Sequence, residues 1–250
     1  MQSRTSLIAA NWKMNPPPPG WDAADSPYLP RPDVDVAVFP TFLDLERCIG
    51  AELNAGAQCG HPDSAGAHTG DVSMAMLEKL GCAYVLCGHS ERRRDHDETD
   101  AFIAEQVRAA IAARLHPIVC IGETLEEYEA RQTRDVIRRQ LHAILEALDA
   151  ESVPPDAPMT FAYEPRWAIG TGKTPTTEEI RAVHAFIHDL LRERKRESRV
   201  LYGGSLDEKN AEAILGIAGV DGGLVGGASL KPEAFRKIVE VAAGIGRARP

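Results

Sequence analysis

Pro117-Ile118-Val119-Cys120-Ile121-Gly122-Glu123-Thr124-Leu125-Glu126-Glu127 places an apolar run, a glycine and a helix start in immediate succession. Ile118 to Ile121 shows no alternation of apolar and polar residues, which suits a strand buried on both faces of a parallel sheet. Thr124-x-x-Glu127 is a capping-box pattern, in which hydroxyl and carboxylate satisfy free amides of a helix's first turn. The stretch is therefore one strand-to-helix junction.

Read outward, the same junction recurs along the chain. Further short apolar runs lie at Leu7–Ala10, Val34–Phe39, Asn54–Ala57, Ala83–Cys87, Met159–Tyr163, Val200–Tyr202 and Gly223–Val225. Helical periodicity follows several of them: Ile103, Val107 and Ile111 share a face, as do Ile180, Val183, Ile187, Leu190 and Leu191 after a second capping box, Thr176-x-x-Glu179. Pro232 suits a helix first turn leading into Phe235, Ile238 and Val239. With no linker dividing them, eight βα units predict one α/β domain over residues 1–250, closed as a (β/α)8 barrel.

One segment breaks the rhythm. Residues 16–33 contain Pro16 to Pro19, Pro27, Pro30 and Pro32, and an interior proline costs a helix about 3 kcal/mol. The first helix is therefore expected to be replaced by a proline-rich irregular loop. Such a stretch also suits a polyproline ligand; the plainer expectation is a surface connection whose Trp21, Tyr28 and Leu29 cover the barrel flank.

The chain has 250 residues, 28 Lys+Arg against 37 Asp+Glu and a net charge of −9, which speaks against nucleic acid and anionic membranes as partners. No apolar run approaches a membrane span, and Leu7–Ala10 is too short for a signal-peptide core. Cys48, Cys59, Cys82, Cys87 and Cys120 form no C-x-x-C pair and read as free thiols of a reducing cytoplasm.

In a parallel barrel, polar residues just after each strand converge on one face. Asn11 and Lys13 follow the first run, His89 the fourth and Glu164 the sixth; glycine-rich turns Gly203-Gly204-Ser205 and Gly226-Gly227 follow the last two. A carboxylate, an imidazole, an ammonium and two amide-rich turns suit proton transfer beside a phosphate. Singly, each has a plain reading: a loop carboxylate, a structural histidine, a tight turn.

Seven stretches in order resemble the triosephosphate isomerase family: Asn11 to Asn15, Gly88 to Arg93, Cys120 to Thr124, Tyr163 to Pro165, Trp167 to Thr174, Tyr202 to Ser205 and Leu224 to Leu230. The resemblance implies interconversion of dihydroxyacetone phosphate and glyceraldehyde 3-phosphate without metal or organic cofactor. This family is itself a standard example of a glutamate base paired with a neutral histidine, and those roles fall on Glu164 and His89. It likewise implies that Lys13 and Asn11 support the developing enediolate, that Glu91 supports Lys13, and that Ser90 holds Glu164 in an open state. Gly170, Ser205, Gly226 and Gly227 would bind the substrate phosphate. The resemblance assigns a mobile lid to Pro165, Arg166, Trp167, Ala168, Ile169, Gly170, Thr171, Gly172, Lys173, Thr174 and Pro175, and a homodimer to the loop Gly66 to Gly70, with Thr69 entering the partner.

The missing first helix is the largest departure from the family pattern, and two lid positions differ as well. Arg166 stands for a usual apolar residue, and Pro175 for an alanine whose amide meets the hydroxyl matched by Tyr202. Cys59, His68, Gly223 and His96-Asp97-Glu98 also differ from common choices. Two rivals are weaker. Gly170 to Thr174 resembles a nucleotide phosphate loop, but Trp167 stands where that motif needs glycine. His184 and His188, four apart, suit a metal pair or, more plainly, a solvated helix face. A barrel without catalysis, persisting as an interaction protein, is the remaining alternative; the intact Lys13, His89 and Glu164 set opposes it.

Overall fold

A computed structural model of the chain describes residues 5–169 and 174–248. Its strands are β1 (Leu7–Asn11), β2 (Asp35–Phe39), β3 (Gly56–Ala57), β4 (Tyr84–Cys87), β5 (His116–Ile121), β6 (Thr160–Tyr163), β7 (Arg199–Tyr202) and β8 (Gly222–Val225). Each lies within a residue or two of an apolar run in the sequence. All pairings are parallel, in the order β2-β1-β8-β7-β6-β5-β4-β3. A parallel bridge between Val38 and Ala55 brings β3 against β2 and completes the ring. The chain is an eight-stranded parallel α/β barrel.

Helices α1 (Leu45–Gly50), α2 (Met74–Leu80), α3 (Ser90–Asp95), α4 (Asp100–Ala112), α5 (Leu125–Glu129), α6 (Thr133–Ala150), α7 (Thr177–Glu193), α8 (Ala211–Leu215) and α9 (Pro232–Ala248) follow the strands from β2 onward, two of them after β4 and two after β5. Both capping boxes form, Thr124 with Glu127 and Thr176 with Glu179. Strand periodicity divides the apolar residues into two cores. Leu7, Ala9, Phe39, Leu86, Ile118, Cys120, Ala162, Leu201 and Leu224 fill the interior, while Ile8, Ala10, Val36, Val85 and Val119 face the helices. At Gly223 the Leu206 side chain occupies the space where a β-carbon would stand.

Residues 16–33 run through turns and bends. Trp21, Ser26, Pro27 and Tyr28 are buried. Tyr28 stacks on Phe235 of α9, with centroids 4.8 Å apart, and meets the Trp12 ring edge-on at 5.3 Å. An aromatic cluster thus covers the flank between β1 and α9.

Candidate active site

At the end of β1 the Asn11 carboxamide oxygen accepts the Lys13 amide at 3.0 Å, and Lys13 takes a left-handed φ of 52°. Gln58 donates to the Lys13 and Phe39 carbonyls, fixing this turn against β2. Lys13 Nζ then reaches Glu91 Oε1 at 2.6 Å. Burial works against the Glu91 carboxylate, but the Lys13 hydrogen bond and charge outweigh it, and the Glu91 pKa is lowered.

His89 occupies the N-cap of α3, and its Nδ1 accepts the Glu91 amide at 3.2 Å. An acceptor at Nδ1 puts the ring's proton on Nε2, so the imidazole meets the cavity as a donor. The next amide of that turn, Ser90 N–H, donates to Glu164 Oε2 at 2.8 Å. His89 Nε2 stands 3.2 Å from Glu164 Oε1 without hydrogen-bond alignment. The start of α3 therefore orients both the ring and the carboxylate.

Glu164 follows β6 and is 2% exposed. Its backbone lies against Gly122, where an added methyl would come within 1.8 Å of the Glu164 carbonyl oxygen; one at Gly203 would come within 2.9 Å of its Cγ. These close approaches demand glycine at the ends of β5 and β7. Below lies Cys120, whose thiol is pushed far above its usual range by burial and then by the Glu164 carboxylate. Asn11, Lys13, His89, Glu164, Ser205, Gly226 and Gly227 all line one cavity of about 610 Å³ at the strand C-termini.

The family model for triosephosphate isomerase matches residues 6–242. The chain belongs to the triosephosphate isomerase family. It is 42% identical over 251 residues to the triosephosphate isomerase of Magnetococcus marinus, covering 95% of this chain and 98% of that one. The Alkaliphilus oremlandii enzyme is 43% identical over 250 residues, covering 94% and 99% of the two chains. That of Thermus thermophilus is 42% identical over 251 residues, covering 96% and 99%.

Of the lid assigned from the triosephosphate isomerase family, Gly170, Thr171, Gly172 and Lys173 lie outside the described residues, as does most of the phosphate-loop lookalike. Pro165 to Ile169, Thr174 and Pro175 are described. Trp167 Nε1 and the Tyr163 hydroxyl both donate to Glu123 Oε1, at 2.9 and 3.1 Å. Burial nonetheless outweighs these bonds and raises the Glu123 pKa. Ser205 Oγ donates to the Ala168 carbonyl at 3.1 Å. Burial, with Arg93 nearby, lowers the Arg166 pKa. The Tyr202 hydroxyl is buried with no hydrogen-bond partner among the described residues.

Ser90 meets Glu164 through its backbone amide, while its own hydroxyl is buried with no hydrogen-bond partner among the described residues. One reading of the sequence needs correction. His184 is not on a solvated face: it is fully buried, and its Nδ1 contacts the Gly219 carbonyl at 3.0 Å, which His188 Nε2 also reaches at 2.9 Å. Thr69 lies in an exposed loop apart from the cavity lining. Nearby, His61 and His68 stack at 4.0 Å, and His68 pairs with Asp63. The cavity rim also holds Lys209 and Lys231, which the sequence motifs did not single out because they follow the turns instead of forming them.

Proposed function

We propose that the chain interconverts dihydroxyacetone phosphate and glyceraldehyde 3-phosphate by proton transfer through an enediolate, as a step of glycolysis and gluconeogenesis. One observation carries this reading: Glu164, His89 and Lys13 open onto the same cavity as the glycine turn at 226–227. Glu164 is the base that removes the carbon-bound proton. His89 Nε2–H polarises the carbonyl oxygen and passes protons between the two oxygens. Lys13 and Asn11 stabilise negative charge developing on those oxygens, in a site where fixed dipoles act more strongly than in water. Glu91 holds Lys13 in place.

Moving Glu164 onto substrate breaks its bond from Ser90 N–H. A hydrogen bond to a charged group is worth about 1.5–3 kcal/mol, a modest part of the energy available from a dianionic phosphate. That phosphate sits on the amides of Gly170, Ser205, Gly226 and Gly227. Residues 165–175 act as the lid, excluding water from an intermediate that would otherwise lose its phosphate.

The assembly in this reading is a homodimer of single-domain chains, each inserting the loop around Thr69 into the other. Met14 and Leu43, 92% and 90% exposed, support it, because each is a large apolar side chain that a partner could cover. The free cysteines support a reducing cytoplasm, and no helix among the described residues is long and apolar enough to cross a membrane. A coupled isomerase assay tests the activity. Glu164→Gln should cost about 10²–10⁴-fold in kcat; an unchanged rate would remove Glu164 from the role of base.

A further inference from the structure

The loop at 16–33 reaches the cavity through one buried hydroxyl. Tyr28 is fully buried, and its Oη donates to the Ser229 carbonyl at 2.6 Å, joining positions 201 residues apart. Ser229 is fully buried too, and turns back on Gly226: its amide donates to the Gly226 carbonyl at 2.8 Å and its hydroxyl to the same oxygen at 2.7 Å. Gly226 has φ −89° and ψ −109°, and Gly227 opens the short turn Gly227–Leu230. Both glycines line the cavity, whereas Tyr28 does not.

We infer that Tyr28 is a positioning residue for the phosphate-binding turn, holding Gly226 and Gly227 through Ser229 from the side away from substrate. This rests on the reading of those glycines as phosphate donors. Three features make the tyrosine suited to the task. Its ring is clamped between Phe235 and Trp12, the residue linking Asn11 to Lys13. Its own loop is braced by the Ser26 hydroxyl donating to the Trp21 carbonyl at 2.7 Å. Burial pushes the phenol pKa upward, so the hydroxyl stays a donor throughout the neutral range. The segment standing in place of a first helix thereby acquires a part in substrate binding. Amides aimed at a phosphate bind it well only when fixed before it arrives, and Ser229 has its carbonyl and its hydroxyl tied on opposite sides.

Removing Oη leaves the ring packing in place and frees the Ser229 carbonyl. Tyr28→Phe should weaken competitive inhibition by inorganic phosphate about three- to tenfold and lower kcat/KM for glyceraldehyde 3-phosphate comparably. The slow turnover of unphosphorylated glyceraldehyde, which has no phosphate for the turn to hold, should stay at the parent value. Ser229→Ala cuts the next bond in the series and should act alike, the double variant losing little more than either single one; this arm carries the test should Tyr28→Phe fold poorly. Gly227→Pro, which deletes a donor directly, separates the two layers of inference. If it weakens phosphate inhibition while Tyr28→Phe does not, the role given to Tyr28 is wrong and the phosphate site stands. If Gly227→Pro leaves phosphate inhibition unchanged, the turn is not the phosphate site and both readings fall. Equal loss on both substrates in Tyr28→Phe would reduce Tyr28 to scaffold and overturn the proposal.

Discussion

Pro175 and Tyr202 set a residue-level problem. Proline has no amide hydrogen, and the Tyr202 hydroxyl is buried without a partner among the described residues. A buried hydroxyl left unbonded costs free energy, and replacing it with an apolar group of the same shape is close to neutral or stabilising. Tyr202→Phe should therefore melt at or above the parent temperature and retain kcat within a few-fold. A large loss of kcat would show that the hydroxyl acts as a latch after all, and would shift weight away from the Ser205–Ala168 bond. Polar side chains that follow strands were legible in the sequence, because the chemistry of Lys13, His89 and Glu164 is written in their residue types. Backbone donors were not: nothing in Ser90 or Glu91 as letters says that their amides orient the carboxylate and the imidazole. Gly122 and Gly203 carried the available signal, since glycine ending a buried strand often marks close backbone approach.

At the scale of elements, α7 shows what periodicity conveys and what it omits. The stripe Ile180, Val183, Ile187 and Leu190 marked the buried face, and the helix packs that way. His184 lies within that buried arc, so burial was implied, yet its bond to the Gly219 carbonyl required the tertiary fold. Burial has a consequence in acid. The His184 pKa is lowered from 6.5 to about 4, chiefly by burial, and so is that of His116 on β5. The unfolded chain takes up these protons below about pH 6.5, whereas the folded chain resists until about pH 4. Stability should therefore fall across that window, by about 1–2 kcal/mol per histidine at pH 5. His188 runs the other way: Asp221 and the Gly219 carbonyl outweigh burial and raise its pKa, giving a smaller gain in acid. Denaturant unfolding at pH 7 and pH 5 measures the balance. Equal stability at the two values would mean that His184 and His116 are not held neutral.

For the whole molecule, the regular eight-unit rhythm made the barrel legible, because each unit repeats a local pattern. The loop at 16–33 was legible only as irregular; the Tyr28–Ser229 contact joins distant parts of the chain and leaves no local pattern. Assembly belongs to this scale as well. Met14 and Leu43 present bare apolar surface, and the proposed dimer covers it. Leu43→Lys should shift sedimentation from dimer toward monomer and lower specific activity at dilution, with secondary structure intact. A parent chain that sediments as a monomer at micromolar concentration would contradict the assembly while leaving the cavity chemistry untouched.

The central claim is that Glu164 takes a proton from carbon. Isomerisation in deuterium oxide tests it, because a proton held on the carboxylate can exchange with solvent before it returns to carbon. The account predicts deuterium on the carbon beside the carbonyl in product and recovered substrate, and its near-complete loss in Glu164→Gln under equal conditions. Undiminished incorporation in Glu164→Gln, or isomerisation with none in the parent, would contradict it.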